Sequence, residues 1–150
     1  MKNKLIFLFL LLIVNSSIIN DQLGFTKNKR FEVIGKVEKL ALNQNKSLLA
    51  IKRSIPIKDA KILIISGKVK HISHSNYIKI SKIKSPKIYT HSDKSGKFRL
   101  KLLPGKYTFF LVINDMAYLN SFDKYGNFTS RSIDSRVDDL IITDFRGSGS

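Results

Sequence analysis

Apolar and polar residues alternate with a period of two along several short stretches, most clearly from Lys97 to Leu102. There Phe98, Leu100 and Leu102 share one parity and Lys97, Arg99 and Lys101 the other, the pattern of a half-buried antiparallel strand. Asp93-Lys94-Ser95-Gly96 before it joins an Asp that can bond its own backbone to a Gly that can take positive φ, which predicts a tight hairpin connection. Pro104-Gly105 after it predicts a type II turn. The run Tyr107 to Ile113 then returns with too little polarity for an exposed edge. Upstream, Phe31, Val33, Gly35 and Val37 alternate with Glu32, Ile34, Lys36 and Glu38, predicting a first strand that ends near Leu40. Leu40 to Ser54 reads as a hairpin turning at Asn43-Gln44-Asn45-Lys46, with a single helical turn as the alternative. Ile62, Leu63, Ile64 and Ile65 are apolar on both parities, so Lys61 to Ser66 is expected at the centre of a sheet, and Pro56 fits a strand start or an edge.

Lys68 to Ile72 and Tyr77 to Ile83 read as a hairpin around Ser73-His74-Ser75-Asn76, with a bulge between Ile80 and Ile83 restoring its apolar face. Asn114-Asp115-Met116-Ala117 predicts a turn and Tyr118 to Phe122 a strand. Asp123-Lys124-Tyr125-Gly126-Asn127-Phe128 then repeats the earlier Asp93-Lys94-x-Gly96-x-Phe98 pattern. A last strand is expected from Asp139 to Thr143. About seven to nine short strands with no long amphipathic helix predict an all-β, two-sheet antiparallel sandwich.

The first twenty residues follow a different pattern. Lys2 and Lys4 precede an unbroken apolar run from Leu5 to Val14, with Ser16 and Ser17 after it, the layout of a secretory signal peptide with cleavage expected after Ser16. An uncleaved anchor extending through Ile18 and Ile19 is the minority reading, and both place the domain outside the cytoplasm, periplasmic or secreted. Residues 21–30 read as a short basic tether, 31–145 as one domain and 146–150 as a flexible tail. The chain has 150 residues and no cysteine, so a disulfide framework, a thiolate metal site and a cysteine nucleophile are all excluded.

Charge changes the picture most. The net charge is +16 and it is uneven: Lys27 to Lys106 holds 21 Lys and Arg against 4 Asp and Glu, and Tyr107 to Ser150 holds 4 against 6. Such asymmetry suits an anionic partner. The abundance of Lys, Asn, Ile, Phe and Tyr together also fits AT-rich codon usage, a compositional source for the same lysines.

The turn and strand punctuation carries a resemblance. Gly35-x-Val37, Pro56-Ile57-x-Asp59-Ala60-x-Ile62, Ser92-Asp93-x-x-Gly96-x-Phe98 and Leu103-Pro104-Gly105-x-Tyr107 together resemble the carboxypeptidase regulatory-like domain. That domain has the transthyretin-like (prealbumin-like) sandwich and is similar to the B-type repeats of bacterial surface adhesins. The resemblance covers Phe31 to Phe145, with Leu40 to Ser54 and Lys68 to Lys84 longer than a minimal member needs. It implies a non-catalytic module for folding, adhesion or attachment, without a cofactor. Some adhesin repeats carry an isopeptide bond promoted by a buried Glu; with only Glu32 and Glu38 in this chain, none is expected.

Candidate chemistry is sparse. His71 and His74 have opposite strand parity and His91 lies far along the chain, so a shared metal site is not expected. Asp93 to Gly96 lacks the alternating oxygen ligands and closing Glu of a calcium loop. Phe145-Arg146-Gly147-Ser148 resembles the Tyr-Arg-Gly-Ser ending of 5-hydroxyisourate hydrolases, which share the transthyretin-like fold. Those enzymes also need histidines near the domain start and before the last strand, whereas none here precedes His71 or follows His91. The expectation is therefore a non-enzyme. Its candidate contact is the lysine-rich hairpin bearing Lys68, Lys70, His71, Tyr77, Lys79, Lys82 and Lys84. The expected partners are anionic polysaccharide, lipid headgroups or an envelope protein rather than nucleic acid. Edge protection by lysine is the structural reading of the same residues.

Overall fold

A computed structural model of the chain describes residues 29–41, 53–70 and 75–144. The leader, all of the tether but Lys29 and Arg30, the 42–52 stretch, His71, His74 and the tail lie outside the described residues. Among those described, ten strands and one 3-10 turn form two sheets: β1 Phe31–Ala41, β2 Arg53–Pro56, β3 Lys61–Ser66, β4 Tyr77–Lys79, β5 Lys87–His91, β6 Lys97–Leu102, β7 Gly105–Ile113, β8 Met116–Tyr118, β9 Arg131–Ile133 and β10 Val137–Asp144. The architecture is the expected all-β two-sheet sandwich.

Each sheet is built on one long strand with two short strands end to end along one of its edges. In the four-stranded sheet β1 pairs with β10 on one side, and its other side takes β6 against Phe31 to Lys36 and β2 against Glu38 to Ala41. In the six-stranded sheet, of order β4-β8-β7-β3-β5, β7 takes β9 and β8 successively along the edge opposite β3. The β1–β10 pair is parallel, so the sandwich is antiparallel in all pairs but one. The chain comes to β10 from β9, on the other sheet, and such a crossover lets it enter beside β1 in the same direction.

Two expected hairpins are crossovers. The Asp93 turn forms as its composition dictates, with the Asp93 N–H donating to the Lys97 carbonyl at 2.7 Å and Gly96 at φ 76°. The strands it joins lie in different sheets, however, β5 on β3 and β6 on β1. Likewise β6 and β7 belong to opposite sheets. Gly105, at φ 157°, is already the first residue of β7, so the type II turn predicted at Pro104-Gly105 does not form. The Tyr107 hydroxyl, donating to the Leu103 carbonyl at 2.9 Å, holds this corner instead. Local chemistry was read correctly at Asp93 and incorrectly at Pro104-Gly105, and at both places which strands pair depends on partners distant in sequence.

Several of the residues that carried the family resemblance form one connected seam. Val37 donates its N–H to the Gly96 carbonyl at 2.7 Å and accepts from the Ile57 N–H at 2.9 Å, at the point where β6 ends and β2 begins along β1. Ser92, buried, accepts from the Ala60 N–H at 2.9 Å and donates to the Ile57 carbonyl at 2.7 Å. The ring of Phe98 lies over Gly35, where a Cβ would sit 2.5 Å from its Cζ.

The core has two parts, and together they explain the double-sided apolar strands. Ile62 and Ile64 of β3 and Phe109 and Leu111 of β7 point between the sheets, against Val33, Val37, Phe98, Leu102 and Ile142. Leu63, Ile65, Phe110 and Val112, of opposite parity, point outward and are covered by Val69, Ile83 and Phe128, with Ile78, Ile80 and Leu119 half-buried around them. The long excursion after β3 and the loop after β8 thus form a third layer over the six-stranded sheet. This cover replaces the expected Lys68 to Ile72 hairpin: Lys68 to Lys70 is not strand, β4 pairs with β8, and Ile80–Lys82 is a 3-10 turn where a bulge was expected.

The remaining expectations fared variously. β2 does return antiparallel along β1, with Ala41 opposite Arg53. The β7–β8 turn is confined to Asn114-Asp115, with Asn114 at φ 55°, so the strand expected over Tyr118 to Phe122 forms instead over Met116–Tyr118 and shares only Tyr118 with it. β3 is central and buried on both faces, as its pattern required.

Candidate anionic-surface interface

The cover layer sorts its residues by depth. Val69 is buried between exposed Lys68 and Lys70, Ile83 is buried between exposed Lys82 and Lys84, and half-buried Ile78 separates exposed Tyr77 and Lys79. These three inward apolar anchors are therefore flanked by cations or an aromatic ring turned to solvent. The structure brings the named lysines and Tyr77 onto one layer, though not onto one β-hairpin. His71 lies outside the described residues. Tyr77 packs on Tyr118 across the β4–β8 pair, ring centroids 5.5 Å apart.

Pairing divides the cations by residue type more than by place: three arginines meet carboxylates, while most of the described lysines, on this layer and off it, do not. Arg99 and Arg136 both reach Glu32, at 3.4 and 3.2 Å, and Arg136 and Arg131 also meet Asp138 and Asp139. By contrast, among the described residues Lys70, Lys79, Lys82 and Lys84 have no carboxylate partner. Lys68 is the exception, bound to Asp123 Oδ2 at 3.0 Å. That ammonium first, then the Asn127 side chain and the N–H groups of Asn127 and Tyr125, hold the Asp123 carboxyl well below the usual carboxylate range.

Sequence reasoning did not single out Phe122, Lys124 and Tyr125, which belong to the same layer through Phe128. The Phe128 N–H donates to the Val69 carbonyl at 3.1 Å, and its ring stands edge-on to Phe110 at 5.0 Å. Tyr125 is 73% exposed, with the Lys124 ammonium 5.0 Å from its ring. A signal for them was present in the apolar outer parity of β3 and β7, which demanded a covering loop.

Two clefts are lined by described residues. A shallow one of about 190 Å³ lies beside Phe109, Leu119, Arg131 and Ile141. The other, about 370 Å³, is lined by His91, Ser92 and Asp93 with Ile34, Lys97 and Arg99, and so gathers the residue types of a nucleophilic triad. The Ser92 hydroxyl is committed to Ile57 and Ala60, and Asp93 Oδ1 accepts from Ser95 and Lys97 of its own turn. No nucleophile–base pair is assembled there among the described residues. Nor do those residues contain a cluster of three His, Cys, Asp or Glu able to hold a metal, or a helix long and apolar enough to cross a membrane.

The fold and this surface define an all-β, two-sheet sandwich with a lysine-faced cover. No family model and no curated protein matches the sequence. Among solved structures, the major plantain pollen allergen Pla l 1 aligns over 81% of this chain and 100% of its own, at 14% identity and a TM-score of 0.38, a level from which nothing further is drawn.

Proposed function

We propose that the protein is an exported, non-enzymatic binding or structural module of the cell envelope that meets anionic surfaces, polysaccharide or lipid headgroups, through its lysine-faced cover layer. One observation carries this reading: Lys70, Lys79, Lys82 and Lys84 project, exposed and without carboxylate partners among the described residues, from a single layer. Unpaired cations focused on one surface attract anions and give salt-dependent binding. The finer assignment to the carboxypeptidase regulatory-like, transthyretin-like domains is part of this proposal. Its support is that the motif residues Val37, Ile57, Ala60, Ser92 and Gly96 bond to one another in one seam.

The test is retention on purified anionic polysaccharide and on anionic vesicles, at low and high salt. It uses the protein beside a variant in which Lys70, Lys79, Lys82 and Lys84 are Gln; Lys68 stays because its ion pair supports the Asp123 turn. Retention should vanish at high salt and fall on the order of a hundredfold or more in the variant, from about 1 kcal/mol per lysine near an anionic surface. Retention that neither salt nor the variant alters sinks the electrostatic reading.

A further inference from the structure

The cover layer contains a turn whose most prominent side chain its geometry does not require. Asp93-Lys94-Ser95-Gly96-Lys97 and Asp123-Lys124-Tyr125-Gly126-Asn127 are one structure built twice. The glycines sit at φ 76° and 77°. The aspartate N–H donates to the carbonyl four residues on at 2.7 and 2.8 Å, and each Oδ1 accepts from the N–H groups two and four residues on. In the first turn the position after lysine is Ser95, whose hydroxyl donates to Asp93 Oδ1 at 2.7 Å. In the second it is Tyr125, the most exposed of the large hydrophobic side chains among the described residues. A serine satisfies this backbone, so the tyrosine answers another need.

Its surroundings indicate which. Lys124 and Lys68 place ammonium groups 5.0 and 5.9 Å from the Tyr125 ring centre. Phe122, 42% exposed, packs on Phe128 at 5.2 Å. A Cβ at Gly126 would meet nothing within 4 Å, so this turn is an open tip. Its one carboxylate, Asp123, is engaged by Lys68, Asn127 and the turn's own N–H groups and does not face outward to repel an anion.

We propose that the Asp123–Phe128 turn is the point at which this protein enters the headgroup region of an anionic lipid bilayer. Tyr125 and Phe122 partition into the interface, where amphipathic rings are favoured. Lys124 holds headgroup phosphates with its ammonium end beside the Tyr125 ring, while Lys68 keeps the Asp123 carboxylate neutralised at the same tip. The inference rests on the anionic-surface reading above and assigns the anion to lipid. Lipid fits better than polysaccharide because the exposed rings crown an open tip, while the aromatic residues lining the two clefts, Phe98 and Phe109, are buried.

The chain has no tryptophan, so Tyr125→Trp makes a single fluorescent reporter. With vesicles of phosphatidylcholine containing phosphatidylglycerol, its emission should move to shorter wavelength and resist acrylamide quenching; phosphatidylcholine alone should do neither. Tyr125→Ser, the residue the twin turn carries, should lower vesicle partition about tenfold or more, the scale of removing one buried aromatic side chain, with an unchanged thermal midpoint. Retention on anionic vesicles with unmoved Trp emission and a harmless Tyr125→Ser overturns the tip and leaves the anionic reading intact. Retention on anionic polysaccharide but on no vesicle overturns the lipid assignment alone. Retention on neither overturns both.

Discussion

Gly96 and Gly126 occupy the same position in two turns of the same geometry, at φ 76° and 77°, but only Gly96 is enclosed. A Cβ at Gly96 would lie 2.8 Å from the Val37 carbonyl oxygen, 2.9 Å from Pro56 Cβ and 3.2 Å from the Ile57 nitrogen, whereas at Gly126 it would meet nothing within 4 Å. Replacing either glycine by Ala forces an L-residue into left-handed backbone, costing about 1–2 kcal/mol, partly offset by a less flexible unfolded chain worth about 0.4–1 kcal/mol. The expected loss for Gly126→Ala is therefore about 1 kcal/mol. At Gly96 the new methyl also presses on the Val37–Gly96 and Ile57–Val37 hydrogen bonds of the seam, each worth about 1 kcal/mol net, and overpacking of this kind costs about 1–3 kcal/mol. Gly96→Ala should then lose about 2–4 kcal/mol. Urea unfolding followed by circular dichroism reads both from the shift in midpoint at constant slope. Asn, which tolerates positive φ, separates the two terms: Gly126→Asn should recover most of its loss and Gly96→Asn should not. Equal losses for the two alanine variants, within about 0.5 kcal/mol, would refute the idea that the seam at Val37 and Pro56 is closed by the size of Gly96.

Ser92→Ala removes the acceptor of the Ala60 N–H and the donor to the Ile57 carbonyl at a buried position, so the stability read by the same urea titration should fall by about 1–3 kcal/mol; a loss below that leaves the linkage of β2, β3 and β5 to other contacts. The carboxyls of Asp93, Asp123 and Glu38 all lie below their ordinary values in the folded protein. Asp93 is lowered first by the Ser95 hydroxyl and Asp123 by Lys68, while at Glu38 burial pulls upward and is outweighed by Lys36 and Ser54. Groups depressed in this way favour folding above the unfolded-state values near 4 and lose that contribution as pH falls through the folded ones. The unfolding midpoint should therefore hold from neutrality to about pH 5 and drop progressively below about pH 4, with Asp93→Asn and Asp123→Asn flattening that drop; a midpoint rising on acidification would contradict it.

What could be read along the chain was set by short-range physics. A period of two fixes which side chains of β1 and β6 face inward, whatever those strands later pair with, and Asp-Lys-x-Gly closes its turn through bonds within five residues, so both turns were legible in advance. The lysine surface was legible as residues but not as a shape. Lys68 to Lys70 and Tyr77 to Ile83 alternate well enough for a hairpin, yet Val69 and Ile83 are instead drawn onto Leu63, Ile65, Phe110 and Val112, apolar groups that would otherwise face water. Tyr125 stood out only when its turn could be set beside the Ser95 turn and its exposure seen. By itself, then, the sequence determined the all-β class, the inward parities, the two Asp-Lys-x-Gly turns and the basic charge, because each depends on neighbours a few residues apart. Tertiary structure alone decided that the Asp93 turn crosses between sheets, that β10 runs parallel to β1, and that the lysines face outward from a third layer. Those outcomes depend on which distant apolar faces bury one another, a competition among pairings that no local pattern encodes.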